Sequence, residues 1–552
     1  MPVKLVQSTA SAYQYPLLIK QLLLTPLAIA PDQEITYQGK RRYNYRTLNE
    51  RIGRLASALA GLGVESGQTV AMMDWDSHRY LECFFAVPMM GAILQTVNVR
   101  LSPEQILYTL NHAKADVLLV NGEFFPILAQ IAGGLETVKT FVFFSDEAEE
   151  PAVPVTMAAE YEAMLADASP DFDFPDFDEN AQATTFYTTG TTGNPKGVYF
   201  SHRQLVLHTL GCAAALGGAN GQGHIHREDV YMPMTPMFHV HAWGFPYLAT
   251  MMGVKQVYPG RYQPDVICRL IAEEGVSYSH CVPTILHMIL SHPAAKTTDF
   301  TGLKILIGGA AMPEAMAISA QKRGMDLFTG YGMSETCPVL SIAHLVSADL
   351  ERTLEEQAVI RAKTGRPLPL VDLRIVDPEM ADVAHDGKAT GEVVVRAPWL
   401  TQGYVAAPEA SEALWAGGYL HTADIGNINP AGYLKVTDRI KDVIKTGGEW
   451  TSSLQLEDII AKHEAVHEVA VIGVPDDKWG ERPLALVVLK PEFVGEVTEH
   501  ALRNYAAHAI EAAGISRYGV LLQVSFVKTL VKTSVGKMNK RLMRADPEAL
   551  RM

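Results

Sequence analysis

The feature that most constrains this chain is an alternation between two hydrophobic periods. Leu48, Ile52, Leu55, Leu59 and Leu62 fall on one helical face. Thr47 and Glu50 are spaced as a capping box, and Gly61 or Gly63 supplies a stop. Short β-rich runs follow at Thr69–Met73, Val117–Val120 and Phe141–Phe144, with helical segments between them. Buried, largely parallel strands joined by helices satisfy that pattern, so the expected fold class is α/β. The acidic, Pro-bearing stretch from Ser145 to Asn180 reads as a surface connection. The alternation resumes after Asn180 and runs to about Asp438.

Beyond Asp438 the pattern changes scale. A helix from Leu454, strands at Val469–Val474 and Leu484–Leu489, a helix from Glu499 and a strand near Val524–Val527 fit a separate small α+β unit. The expected division is a large N-terminal body of several α/β subdomains over residues 1–440 and a small C-terminal α+β domain over 441–552. No fixed-period repeat or long low-complexity tract interrupts it.

Composition removes several classes of function. Hydrophobic residues make up 48% of the 552, enough to exclude disorder for the bulk of the chain. The net charge of −15 argues against broad attraction to nucleic acid or anionic lipid. Five scattered cysteines fit neither a zinc site nor a disulfide framework, and point to a reducing compartment. The start, Met-Pro-Val-Lys-Leu, has no leader pattern, and the apolar run Cys83–Leu94 falls short of the ~20 residues that span a bilayer. The expectation is a large, soluble, cytoplasmic, metabolic protein.

The densest chemical signal is Thr188-Thr189-Gly190-Thr191-Thr192-Gly193-Asn194-Pro195-Lys196-Gly197. Small residues with exposed N–H groups and hydroxyls, plus one lysine, can surround phosphate oxygens closely. Gly follows Lys196 where a Walker A loop has Ser or Thr. Strand-like Ala183–Tyr187 before it and Val198–Phe200 after it place the loop inside a hairpin.

This run resembles the phosphate-binding signature of the adenylate-forming superfamily, which includes acyl-CoA synthetases, peptide-synthetase adenylation domains and beetle luciferases. Further motifs occur in that family's order. Tyr331-Gly332-Met333-Ser334-Glu335-Thr336 matches its central acidic motif, and His421-Thr422-Ala423-Asp424 its ribose motif. Asp438-Arg439-Ile440-Lys441-Asp442 matches its interdomain hinge, and Thr533-Ser534-Val535-Gly536-Lys537 its C-terminal lysine motif. The resemblance covers nearly the whole chain and is closest to bacterial medium- and long-chain fatty acyl-CoA synthetases.

The resemblance implies roles that suit each residue's chemistry. Carboxylate attack on the α-phosphate of ATP brings two anions together, so cations and oriented donors must offset repulsion. Lys196 and the Thr/Gly loop then hold phosphates, and Glu335 is the expected Mg²⁺ ligand. Thr336, Gly309, Ala310, Gly330, Tyr331, Gly332, Met333 and Ser334 line the adenine and acyl-phosphate region. Asp424 can accept from both ribose hydroxyls, with Arg439 donating beside it. Lys537 is expected to neutralise charge during adenylation, carried in by rotation about Lys441. Lys445 supports that step, and Gly447-Gly448-Glu449-Trp450 resembles the loop lining the pantetheine path.

In Met237-Phe238-His239-Val240-His241-Ala242-Trp243-Gly244 the two histidines fit no strong zinc spacing. The run resembles the acyl-pocket motif, with Trp243 as gate and His239 near the substrate carboxylate. The expected function is ATP- and CoA-dependent ligation of a medium- or long-chain fatty acid. Alternatives are a short acid such as 3-methylthiopropionate, charging of a separate carrier protein, and a non-enzymatic ATP- or acyl-binding regulator. The N-terminal region resembles that of dimeric synthetases, so a homodimer is expected, with no nucleic-acid partner and no integral membrane association.

Overall fold

The computed structural model describes residues 3–146, 154–188, 194–218, 222–446, 449–512, 519–532 and 538–550, with the side chains of Glu449, Trp450 and Glu548 outside that description. Two large sheets with parallel centres form its framework. The first runs Ala159–Glu160, Thr140–Phe144, Ala115–Asn121, Thr69–Met73, Ile93–Thr96, Gln182–Tyr187 and Gly197–Ser201, with only the last pair antiparallel. The second has nine strands, with Lys255–Tyr258, Val230–Pro233, Tyr278–Cys281, Lys304–Ile307 and Asp326–Gly332 parallel at its centre. Thr69–Met73 is buried at all five positions, as a strand covered on both faces must be.

The helix His78–Met89 explains why Cys83–Leu94 is so apolar. It is buried along its whole length, held at its start by Ser77, which accepts from the Tyr80 N–H at 3.2 Å. Among the described residues no helix is long and apolar enough to cross a membrane.

Two local expectations need correction. The helix Tyr45–Gly61 is capped by Asn44, whose side chain accepts from the Thr47 N–H at 3.1 Å, and Thr47 with Glu50 makes no capping box. The strand Arg41–Asn44 feeds directly into that helix, so the cap falls three residues earlier. The stretch 145–180 is only partly a surface connection. Ala159–Glu160 extends the first sheet, and Tyr161–Asp167 buries Tyr161 and Leu165. Its acidic composition concealed this, because Glu162 is engaged by Arg51 at 3.0 Å and Arg79 at 3.3 Å. The Tyr161 hydroxyl in turn donates to the wholly buried Glu82 carboxylate at 2.7 Å, beside Arg51 at 2.6 Å.

A four-stranded antiparallel sheet follows, Asp372–Val376, Gly391–Arg396, Leu420–Ile428 and Leu434–Arg439. The last sheet is built on the long pair Val466–Asp476 and Gly480–Leu489, with Gln523–Phe526 parallel to the latter. Its two faces carry separate cores. Val471, Ala485 and Val487 belong to one, Ala470, Ile472, Leu484 and Leu486 to the other, the period-two alternation of a sheet covered on both sides. Asp438 ties this region to the preceding sheet, accepting from the Ser453 N–H at 2.5 Å and hydroxyl at 3.1 Å.

Buried histidines set a pH dependence. Burial lowers His202, His208, His241 and His280 from 6.5 to about 3. Between those values the unfolded chain binds more protons, so these four lose stability as pH falls below 6.5. Asp74 and Asp76, raised by burial to about 6 and about 7, oppose them but are outnumbered. Thermal unfolding midpoints are therefore expected to fall from pH 7 to pH 5, and His241→Phe should flatten that dependence.

Candidate active site

The Thr/Gly run lies inside a hairpin, as its flanks required. Gln182–Tyr187 and Gly197–Ser201 pair antiparallel, closed by a Thr188 N–H to Lys196 carbonyl bond of 2.9 Å. Thr189, Gly190, Thr191, Thr192 and Gly193 lie outside the described residues. The Lys196 ammonium sits 4.5 Å from the Tyr404 ring centroid, a cation–π contact. The Tyr404 hydroxyl donates to Glu335 Oε1 at 2.7 Å. Burial beside that carboxylate raises the Tyr404 phenol, which keeps its proton for this bond. Tyr404 therefore joins the hairpin lysine to the acidic motif. It stands in a Gly/Pro-bearing loop with no periodicity, which is why sequence reading passed it over.

Glu335 and Thr336 follow the strand Asp326–Gly332 on a single 3₁₀ turn. Thr336 is wholly buried; its hydroxyl accepts from the Met333 N–H at 2.9 Å and donates to the Pro338 carbonyl. Thr336 thus clasps the motif rather than facing the pocket. Gly332 is required here, since a Cβ would lie 1.7 Å from the Pro338 carbonyl oxygen.

Ala423 sits at φ 57°, where the pairing of Leu420–Ile428 with Gly391–Arg396 is irregular. This left-handed step turns Asp424 inward, leaving it 5% exposed. Its Oδ2 accepts from the Tyr331 hydroxyl at 2.7 Å and its Oδ1 from Arg439 Nε at 3.1 Å. The central motif, the ribose motif and the start of the hinge motif meet at this one carboxylate.

Beside it lies a mainly apolar pocket. Met234, Val282, Ile285 and Leu306 supply its walls; His239, Trp243, Gly309, Gly330, Tyr331, Gly332, Met333 and Ser334 also line it, whereas Ala310 does not. Val240 to Trp243 all have positive φ, from 47° to 58°, an unusual left-handed turn of four non-glycine residues. That turn separates the two histidines. His239 lines the pocket, while His241 is wholly buried among the rings of Phe84, Phe186, Phe200 and Tyr247. It also lays Trp243 against Gly308, where a Cβ would come within 2.9 Å of the indole. Behind the turn, Asp76 accepts from the Met237 N–H at 2.8 Å and the Tyr262 hydroxyl at 2.5 Å. No sequence motif marked Asp76 or Tyr262.

Lys537, Gly447 and Gly448 lie outside the described residues. Lys445 is exposed on Ile444–Thr446, its backbone paired with that of Trp450 and its N–H donating to Glu481 at 2.8 Å. Lys441 follows the four-stranded sheet, and its carbonyl accepts from Arg544 at 2.8 Å. Among the described residues, none beyond 440 lines the pocket.

This constellation coincides with a known family. Residues 27–405 match the AMP-binding enzyme family and 455–537 its C-terminal domain. The chain belongs to the AMP-binding enzymes. A long-chain-fatty-acid–CoA ligase of Thermus thermophilus is 40% identical over 91% of this chain and 90% of its own. A 3-methylmercaptopropionyl-CoA ligase of Ruegeria lacuscaerulensis is 35% identical over 96% of this chain and 99% of its own. The solved anthranilate CoA ligase bound to anthranoyl-AMP superposes with a TM-score of 0.82, covering 97% of this chain and 98% of its own at 23% identity, a likeness of fold.

Within this AMP-binding enzyme, Tyr404→Phe keeps the ring beside Lys196 and removes only the hydroxyl bond to Glu335. The expected result is about a tenfold fall in acid-dependent ATP–pyrophosphate exchange at saturating substrates, with a small fall in the unfolding midpoint because the buried Glu335 loses a donor.

Proposed function

We propose that this enzyme is an ATP-dependent acid–CoA ligase acting on medium- or long-chain fatty acids. The carboxylate attacks the α-phosphorus of ATP and expels pyrophosphate; the CoA thiol then attacks the acyl carbon of the acyl-adenylate and expels AMP. One observation carries this reading: the segment Gly330–Ser334 borders the apolar pocket and, through Tyr331, holds Asp424. An acyl chain in the pocket and a ribose on Asp424 would therefore share one wall, the arrangement an acyl-adenylate needs. The names of the relatives support the thiol as CoA.

The chain's residues divide the work. Asp424 binds ribose hydroxyls with Arg439 beside it, and His239 lies at the pocket where the carboxylate enters. Lys196 offsets phosphate charge at the hairpin, and Lys537 is brought in by rotation of residues 441–552 about Lys441. Lys445 supports that rotation, and the Gly447-Gly448-Glu449-Trp450 loop serves the thiol-transfer arrangement. Glu335 fits Mg²⁺, which takes one or two carboxylates with substrate phosphates and waters. Bound there, the ion would neutralise charge developing on the phosphates. The five free, buried thiols support a cytoplasmic setting, and the homodimer is proposed by likeness to dimeric synthetases.

Trp243 sets the acyl length. With its indole on Gly308 the pocket suits a short chain, which favours a thioether acid as the second reading. Movement of Trp243 off Gly308 would extend it, at a gain of about 0.8 kcal/mol per CH₂ buried.

Acids of three to eighteen carbons, assayed with ATP and Mg²⁺ with and without CoA, test the reaction. AMP release requiring both acid and CoA is expected; pyrophosphate exchange without transfer to CoA would favour carrier charging. Trp243→Ala should move the chain-length optimum, and an unchanged profile would remove Trp243 as gate. Lys537→Ala should reduce adenylation about a hundredfold or more while sparing thioester formation from supplied acyl-AMP. Equal losses in both steps would rule out the rotation.

A further inference from the structure

A second feature adjoins the pocket at Arg100 and Tyr262. Two guanidinium groups approach the Trp75 indole, Arg100 at 5.7 Å and Arg261 at 5.6 Å from its centroid. Arg100 also lies 5.9 Å from the Tyr262 ring, and both Arg100 and Tyr262 line the pocket. The group is rigidly built. Trp75 packs on Phe124 at 5.3 Å and donates from its indole N–H to Glu123 at 2.8 Å. The loop carrying Arg261 is pinned next to Trp75, because the Gly260 N–H donates to the Asp76 carbonyl at 2.8 Å. Side chains from three separated stretches of sequence thus meet at one edge of the pocket.

We infer that Trp75, Arg100 and Arg261 dock the 3′-phosphoadenosine end of coenzyme A. The inference rests on the ligase reading above. An adenine ring stacks well on an indole or a guanidinium, and arginine binds phosphate with paired donors. Glu123 is the present partner of Arg261, at 3.1 Å, but the two side chains are 44% and 61% exposed. Such a pair is weak and screened, so a phosphate with more negative charge and more acceptor oxygens displaces it readily. Asp76, the residue after Trp75, offsets the guanidiniums only in part, since burial pushes its pKa up to about 7. A chain of net charge −15 thereby presents a local anion site where a polyanionic substrate must approach.

The test compares CoA with dephospho-CoA, which lacks only the 3′-phosphate, using the full-length enzyme and its best acid. Wild-type enzyme is expected to show a higher KM for dephospho-CoA than for CoA. Arg261→Ala should raise the KM for CoA about tenfold and bring the two KM values together. Glu123→Gln, which can still accept from Trp75, should lower the KM for CoA. Both variants should keep the wild-type KM for ATP and the wild-type rate of acid-dependent pyrophosphate exchange, which separates CoA from ATP as the phosphate bound. An unchanged KM ratio in Arg261→Ala, or a raised KM for CoA in Glu123→Gln, would overturn the assignment while leaving the ligase intact. Failure of the wild-type enzyme to form any acyl-CoA would instead overturn the ligase reading.

Discussion

The Asp424 carboxylate is the junction on which the site depends. One oxygen takes the Tyr331 hydroxyl from the nine-stranded sheet, and the other takes Arg439 from the edge of the four-stranded sheet. A buried carboxylate is costly unless both oxygens are satisfied, so each partner is held in place by that need. The same contact sets the strand Leu434–Arg439 against the central motif. The proposed ribose site and the strand that leads into the C-terminal residues are therefore joined through a single side chain.

A similar economy operates at the pocket. Gly308 leaves the space that Trp243 fills, and the left-handed turn of residues 240–243 aims the indole there. Four non-glycine residues in that conformation are disfavoured, and they persist only because neighbours constrain them. The aromatic cage around His241 and the Asp76 bond to Met237 supply the constraint. Asp76 also supports the rim bearing Trp75 and Arg261, so acyl pocket and proposed CoA rim share one anchor.

Much of the framework was legible from hydrophobic period alone. Strands such as Thr69–Met73 are buried throughout and mostly apolar because both faces are covered, and that signal survives without tertiary knowledge. The hairpin around the Thr/Gly run followed from its strand-like flanks. The stretch 145–180 was misread because acidic residues that balance buried arginines look, in sequence, like solvated ones. The Asn44 cap was missed because a strand and a helix abut without a loop between them.

Sequence by itself determined the α/β alternation, the ordered motifs and the family they mark, because each depends on residues close together in the chain. Tertiary structure alone decided that Tyr404 links Lys196 to Glu335 and that His239 and His241 face different surroundings. It also gathered Trp75, Arg100 and Arg261 at one edge. The reason is physical. Local periodicity reports which face of an element is buried, whereas partners from separate stretches of the chain are chosen by how the sheets pack, and no spacing in the sequence records that choice.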